Sequence, residues 1–232
     1  MPSAVLFDFY GTLARAVSWG APVHELLPRS DERLEAEAYA AWQAEMYDGM
    51  EHLAYSSTRD DYLAWERERL RRLVVASGVE TGNVEEMVDE LHLALADFQL
   101  AAYDEVPEVL AQLRARGITV AVCSNWGWDL DQALKMAGLD GAVDVVVTSA
   151  QAGVRKPHPR IFQLTLDACG VAAADALFVG DTWYPDVEGP LAAGMHPVHV
   201  WREEDMHVSG TPPPLPPGVH RVTDLRGLLD LI

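Results

Sequence analysis

The spacing of apolar and polar positions changes twice along this chain. Ala4-Val5-Leu6-Phe7 is an unbroken apolar run that ends on Asp8, and Gly11-Thr12 turns the backbone soon after. Such a run reads as a strand buried on both faces, which leaves Asp8 at the strand's carboxyl end. Past Leu13 apolar residues recur at helical spacing. They do so as Leu34, Ala38, Trp42, Met46, Met50 and Leu53, as Tyr62, Leu63, Trp65, Leu70, Leu73 and Val74, and as Val84, Met87, Val88, Leu91, Leu95 and Phe98. These stripes predict a helical bundle with no strand up to about Ala102. The segment Ala14 to Ser30, with Pro22 and Pro28, reads as a hinge followed by loop, and Trp19, Trp42 and Trp65 read as bundle core. From Tyr103 onward short apolar runs alternate with helical stretches. Helices are expected from Pro107 to about Gly117 and over Pro159–Cys169, and strands over Ile118–Cys123, Val143–Val147, Ala176–Gly180 and Val198–Trp201. A last short strand precedes a helix from Asp224 to Leu231. This alternation predicts an α/β core, a parallel sheet with helices on both faces, formed by residues 1–13 and 103–232 and interrupted by a helical cap over 14–102.

Composition narrows what such a fold could serve. The 232 residues suffice for one full core and an inserted module, and 49% hydrophobic with 23% charged residues is a globular balance. No apolar run could span a bilayer, and Met1-Pro2-Ser3 leads into the first strand without a basic, cleavable leader. A soluble, cytoplasmic protein is expected. Cys123 and Cys169, in a strand and at a helix end, match the usage of a reducing compartment more than that of a metal site. Seventeen basic against 36 acidic residues make the net charge −19, which repels nucleic acid and anionic membrane. An acidic fold that handles an anion must collect positive charge locally, from a divalent cation or a well-placed lysine. The stretch Thr211 to Gly218 holds five prolines and reads as a stiff surface connector.

Strand ends carry the candidate chemistry. Asp8 ends the first strand, Ser124-Asn125 follows Cys123, and Asp181 follows Gly180. In a parallel sheet these ends share one edge, where ligands bind, so residues more than 100 positions apart can converge. Lys156, in Val154-Arg155-Lys156-Pro157-His158-Pro159, lies just before a helix and can reach the same edge. On its own segment Asp8 could equally be a turn cap.

Four segments in order resemble the motifs of the haloacid dehalogenase superfamily, the aspartate-nucleophile hydrolases. They are Phe7-Asp8-Phe9-Tyr10-Gly11-Thr12-Leu13, Val122-Cys123-Ser124-Asn125, Lys156-Pro157-His158-Pro159-Arg160-Ile161-Phe162, and Val179-Gly180-Asp181-Thr182 with Asp186 and Ala193-Gly194-Met195. The resemblance implies a Rossmann-like core with a helical cap, and it assigns roles. Asp8 would be the nucleophile, helped by Lys156. Gly11, Thr12, Ser124, Asn125 and Lys156 would bind phosphate, with Asn125 also fixing its loop. Mg²⁺ would be held by Asp8, the Tyr10 carbonyl, Asp181 and Asp186. The substrate would be a small phosphorylated metabolite, and the enzyme a monomer or homodimer.

Tyr10 departs from the phosphatase pattern, which places a general acid/base Asp there. A phenol, with an unperturbed pKa of about 10, is a poor base at neutral pH. The same Tyr is similar to what metal-independent 2-haloacid dehalogenases carry, which makes that activity the rival expectation. Those enzymes generally lack an acid at the position of Asp181, and they use a cap arginine for which Arg29 is the candidate here. A non-catalytic regulatory relative is a third reading. Trp126, Trp128, Trp183 and Tyr184 flank the second and fourth motifs, either packing the cap on the core or stacking on substrate.

Overall fold

The computed structural model describes residues 1–27, 32–46, 48–202 and 212–232. The first strand, β1 (Ala4–Phe7), is followed by β2 (Ala14–Trp19), four helices α1 (Val23–Leu26), α2 (Glu32–Ala44), α3 (Arg59–Ala76) and α4 (Val84–Ala96), and β3 (Phe98–Ala102). Then come α5 (Val106–Ala115), β4 (Thr119–Ser124), α6 (Leu130–Met136), β5 (Val145–Thr148), α7 (Ser149–Ala152) and α8 (Pro159–Cys169). The chain closes with β6 (Ala176–Gly180), α9 (Gly189–Ala192), β7 (His196–Val200), β8 (His220–Val222) and a 3₁₀ turn over Leu225–Asp230.

The main sheet has the order β5-β4-β1-β6-β7-β8, and its neighbouring strands pair in parallel. Strand alternation sorts β1 between two cores. Val5 and Phe7 pack with Val109, Leu110 and Leu113 of α5 and Leu130 and Leu134 of α6, whereas Ala4 and Leu6 face Ile161, Phe162 and Leu166 of α8. Each fully buried side chain of this size contributes about 1.5–3 kcal/mol. The expected α/β architecture, with helices on both faces, is the observed one. Helix α8 spans the residues its sequence signals predict, with Pro159 in its first turn and Gly170 ending it at φ 68°.

Between β1 and α5 the structure corrects the sequence reading. The segment expected to be free of strands contains β2 and β3, which pair antiparallel as a two-stranded ribbon. Small residues at Ala14, Ala16 and Ser18 hid the period-2 alternation of β2, and Phe98 merely prolonged the helical stripe of α4. Trp19, expected in a core, stands on this ribbon 55% exposed, its ring 5.7 Å from those of Tyr10 and Phe98. The helices bury Val23, Leu27, Leu70, Leu73, Val74, Val84, Val88 and Leu91 against one another. Helix α2 stops at Ala44, so Met46 and Met50 lie beyond the helix they were expected to stripe. Their carbonyls accept hydrogen bonds from the Asn125 amide (2.9 Å) and the Arg155 N–H (3.1 Å), docking this segment on the sheet's loops. Trp42 and Trp65 are half-buried. No described helix is long and apolar enough to cross a membrane.

Candidate active site

Strands β4, β1 and β6 are adjacent, so their carboxyl ends meet. The Asp8 N–H donates to the Val179 carbonyl at 2.9 Å, extending the β1–β6 pairing by one residue and presenting the Asp8 carboxylate at the rim. Two donors converge on its Oδ1: the Ser124 hydroxyl at 2.9 Å and the Lys156 ammonium at 2.7 Å. Lys156 also donates to Asp186 Oδ1 at 2.7 Å, and the other oxygen of Asp186 accepts the Thr182 N–H at 3.0 Å. The Thr12 hydroxyl lies 3.4 Å from Asp181 Oδ1. One oxygen from each of Asp8, Asp181 and Asp186 lies within 4.8 Å of the others.

Backbone makes this crowding possible. Gly11 has φ 86°, and a Cβ there would fall 2.4 Å from Asp181 Oδ2. A Cβ on Gly180 would fall 2.4 Å from the Cβ of Asp186. The Tyr10–Gly11 link therefore runs directly against Asp181. Asn125 serves the loops: its Oδ1 accepts the Lys156 N–H at 2.6 Å, and its Nδ2 donates to the Lys156 carbonyl at 3.0 Å as well as to Met46.

Three carboxylates share one ammonium. Burial opposes the charge on Lys156, but Asp186 and Asp8 outweigh it and raise the amine's pKa, keeping it protonated. Burial, then repulsion from Asp8 and Asp186, pushes the Asp181 carboxyl well above its usual range. Asp186 is raised to about 6, by burial first, with Lys156 holding it down and Asp8 pushing it up. This surplus of negative charge, presented as closely set oxygens, fits a divalent cation such as Mg²⁺. Among the described residues these three aspartates are the one such cluster of His, Cys, Asp or Glu.

The flanking aromatics mostly pack. Trp126 sits edge-on to Phe9 at 5.2 Å, Trp128 lies 6.2 Å from Tyr62 of α3, and Trp183 donates to Glu188 at 2.8 Å. Tyr184 is exposed. Arg29 lies outside the described residues. The sequence reading passed over Arg155 and His199, both buried. Arg155 reaches into the helical insert, donating to Glu66 at 3.0 Å and to the Glu45 carbonyl. His199 contacts the Asp181 carbonyl at 3.0 Å. The available signal was one of pattern: a lone polar side chain within the apolar run Pro197 to Trp201.

A six-stranded parallel sheet with an aspartate at the end of its first strand, a buried lysine and an acidic pair after β6 has the layout of a Rossmann-like α/β hydrolase. The chain belongs to the haloacid dehalogenase-like hydrolase family, which it matches over residues 2–194. Its relatives include both phosphatases and a dehalogenase. It is 39% identical over 128 residues to a phosphoserine phosphatase of Thermus thermophilus, covering 53% of this chain and 48% of the relative. It is 29% identical over 241 aligned positions to (S)-2-haloacid dehalogenase 4A of Burkholderia cepacia, covering 99% of this chain and 94% of the relative. The crystal structure of a dehalogenase with an intermediate complex superposes with a TM-score of 0.62 at 27% identity, covering 100% of this chain and 97% of that one. The chain thus spans about half the length of the phosphatase it matches.

Proposed function

We propose that this hydrolase is a Mg²⁺-dependent phosphatase that acts on a small phosphorylated metabolite through an aspartyl-phosphate on Asp8. The observation that supports this reading is Asp181. A second and a third carboxylate beside the nucleophile would repel it in an enzyme that uses no cation, and halide release requires neither. Asp8, Asp181 and Asp186, with the Tyr10 carbonyl, would hold the ion, which when bound supplies positive charge for the phosphoryl oxygens.

The chain's own residues would do the rest. Ser124 and Lys156 grip one oxygen of Asp8 and so fix the orientation of the carboxylate for in-line attack. An Asp8 oxygen bonds to phosphorus as the ester P–O bond breaks, and the leaving oxygen departs with the electron pair. Water then attacks the same phosphorus, releasing inorganic phosphate and freeing Asp8. Lys156 and the Gly11–Thr12 turn would bind the non-bridging oxygens, and Ser124 would turn its one O–H from Asp8 to them once the phosphoryl group is in place. Because Tyr10 offers no ready base, substrates whose leaving group departs without a proton, such as acyl or aryl phosphates, should react fastest.

A second reading, a metal-independent 2-haloacid dehalogenase, has Tyr10 and the nearly full-length likeness to the Burkholderia enzyme in its favour. One paired assay separates the two: phosphate release from acetyl or p-nitrophenyl phosphate and chloride release from 2-chloropropionate, each with Mg²⁺ or EDTA. Phosphate release that stops on chelation, with no chloride, is the expected outcome. Chloride release indifferent to EDTA would overturn the phosphatase reading, and release of neither ion would favour a regulatory relative.

A further inference from the structure

Gly180, His199 and Arg221 lie side by side across three parallel strands, since Gly180 pairs with His199 and His199 with Arg221. The row leads from the sheet's edge strand to the residue that precedes Asp181. His199 is 1% exposed, its ring set edge-on to Trp183 (5.3 Å) and Trp201 (5.6 Å). Arg221 Nε lies 3.0 Å from His199 Nδ1, and its Nη2 donates to the Pro213 carbonyl at 2.6 Å. A guanidinium can only donate, so Nδ1 must be the lone-pair nitrogen and the imidazole is neutral with its proton on Nε2. That N–H then donates to the Asp181 carbonyl 3.0 Å away.

The peptide that receives this bond is gripped at its other end too. The Thr182 N–H, on the same peptide unit as the Asp181 carbonyl, donates to Asp186 Oδ2 at 3.0 Å. Every donor in the series points toward Asp186: Arg221 to His199, His199 to the peptide carbonyl, the peptide N–H to the carboxylate. Hydrogen bonds aligned in this way polarise and strengthen one another. One flat group thus sets both the direction in which Asp181 leaves the backbone and the rotation of Asp186.

We infer that His199, locked as its Nε2–H tautomer by Arg221, is a positioning residue that clamps the Asp181–Thr182 peptide and presets both carboxylates for a divalent cation. The inference rests on the cation-site reading above. It concerns residues that touch neither substrate nor ion, and partners behind a ligand of this kind typically change metal affinity about 10–100-fold.

The test titrates Mg²⁺ by calorimetry into the wild type and the variants His199→Leu, His199→Gln and Arg221→Met, and follows hydrogen exchange of the Thr182 amide and the imidazole ¹⁵N shifts of His199. His199→Leu should weaken Mg²⁺ binding about tenfold and speed Thr182 exchange. His199→Gln, which keeps a donor near the Nε2 position, should recover most of both losses. Arg221→Met, at the sheet's edge, should release the tautomer and weaken Mg²⁺ by a smaller factor, and it serves as the test where Leu at 199 prevents folding. Wild-type Mg²⁺ affinity in both His199→Leu and Arg221→Met would overturn the inference, as would wild-type ¹⁵N shifts showing the proton on Nδ1 or on both nitrogens. If the wild type itself binds no Mg²⁺, the cation reading is what fails. The clamp is then decided by Thr182 exchange, and unchanged protection in His199→Leu overturns it.

Discussion

Arg155 and Lys156 are neighbours in the chain, yet they belong to two buried ion clusters of opposite balance. Arg155 joins Arg69, Glu45 and Glu66 in the seam between the helical insert and the sheet, and the half-exposed Arg72 stands 3.7 Å from Glu45, so the seam carries more cations than anions. Both guanidinium groups lie 5.3 Å from the Trp65 ring, and Arg69 donates to Glu45 at 2.7 Å. Lys156 joins Asp8, Asp181 and Asp186, one cation with three anions. Burial is costly for either set, but in the seam each charge meets its opposite and the network holds two parts of the fold together. At the rim the surplus has no internal answer. The seam is built to stay as it is, and the rim to take something in. His52 senses the seam: burial, then Arg155 and Arg69, lower its pKa to about 4, so it stays neutral against Trp65 at 4.6 Å.

Substitutions can break this contrast. The largest effect is expected at the rim, on activity alone. Asp8→Asn should lower kcat by on the order of 10⁴-fold or more, with a melting temperature close to wild type, because an amide oxygen still accepts from Ser124 and Lys156 while the negative surplus falls. Retained turnover would rule Asp8 out as the nucleophile, and a collapse in stability would mean that the rim, too, is a structural network. In the seam the pattern should invert. Arg155→Leu should cost about 3 kcal/mol of stability, roughly 6–12 °C in melting temperature for a chain of this size. A thermal melt within a degree or two of wild type would show that the seam cluster holds nothing. Smallest of all is Arg59→Gln, which breaks the half-exposed ion pair from α3 to Asp129. Because solvent screens exposed pairs of this kind, the denaturation midpoint should stay close to wild type, and a clear drop in a denaturant titration would extend the seam's role to the surface.

Legibility in the sequence followed the same division. Asp8, Ser124 and Asp181 could be placed at the rim because each ends or follows an apolar run and strand ends in a parallel sheet must share an edge, and Lys156 because it lies just before a helix that starts there. Asp186 came in only with the motif resemblance. What binds Arg155 could not be read this way, since Glu66 lies 89 positions away on a helix whose facing depends on tertiary packing. His199 was hidden inside a strand, where a polar residue says nothing about its lateral neighbours until the register is known. The ribbon of β2 and β3 was lost for a local reason. Ala, Ser and Gln on short strands leave too little contrast between faces for a two-residue period to stand out.

Asn125 has a consequence for how such an enzyme can diversify. Its single amide fastens the backbone of Lys156 and, through Met46, the segment that links the insert's helices. A drift that shifts Met46 in search of a new substrate would tug on the lysine in the same stroke. The stretch around Met46 is therefore held under the constraint of turnover itself, since any shift in it is felt at the backbone of Lys156.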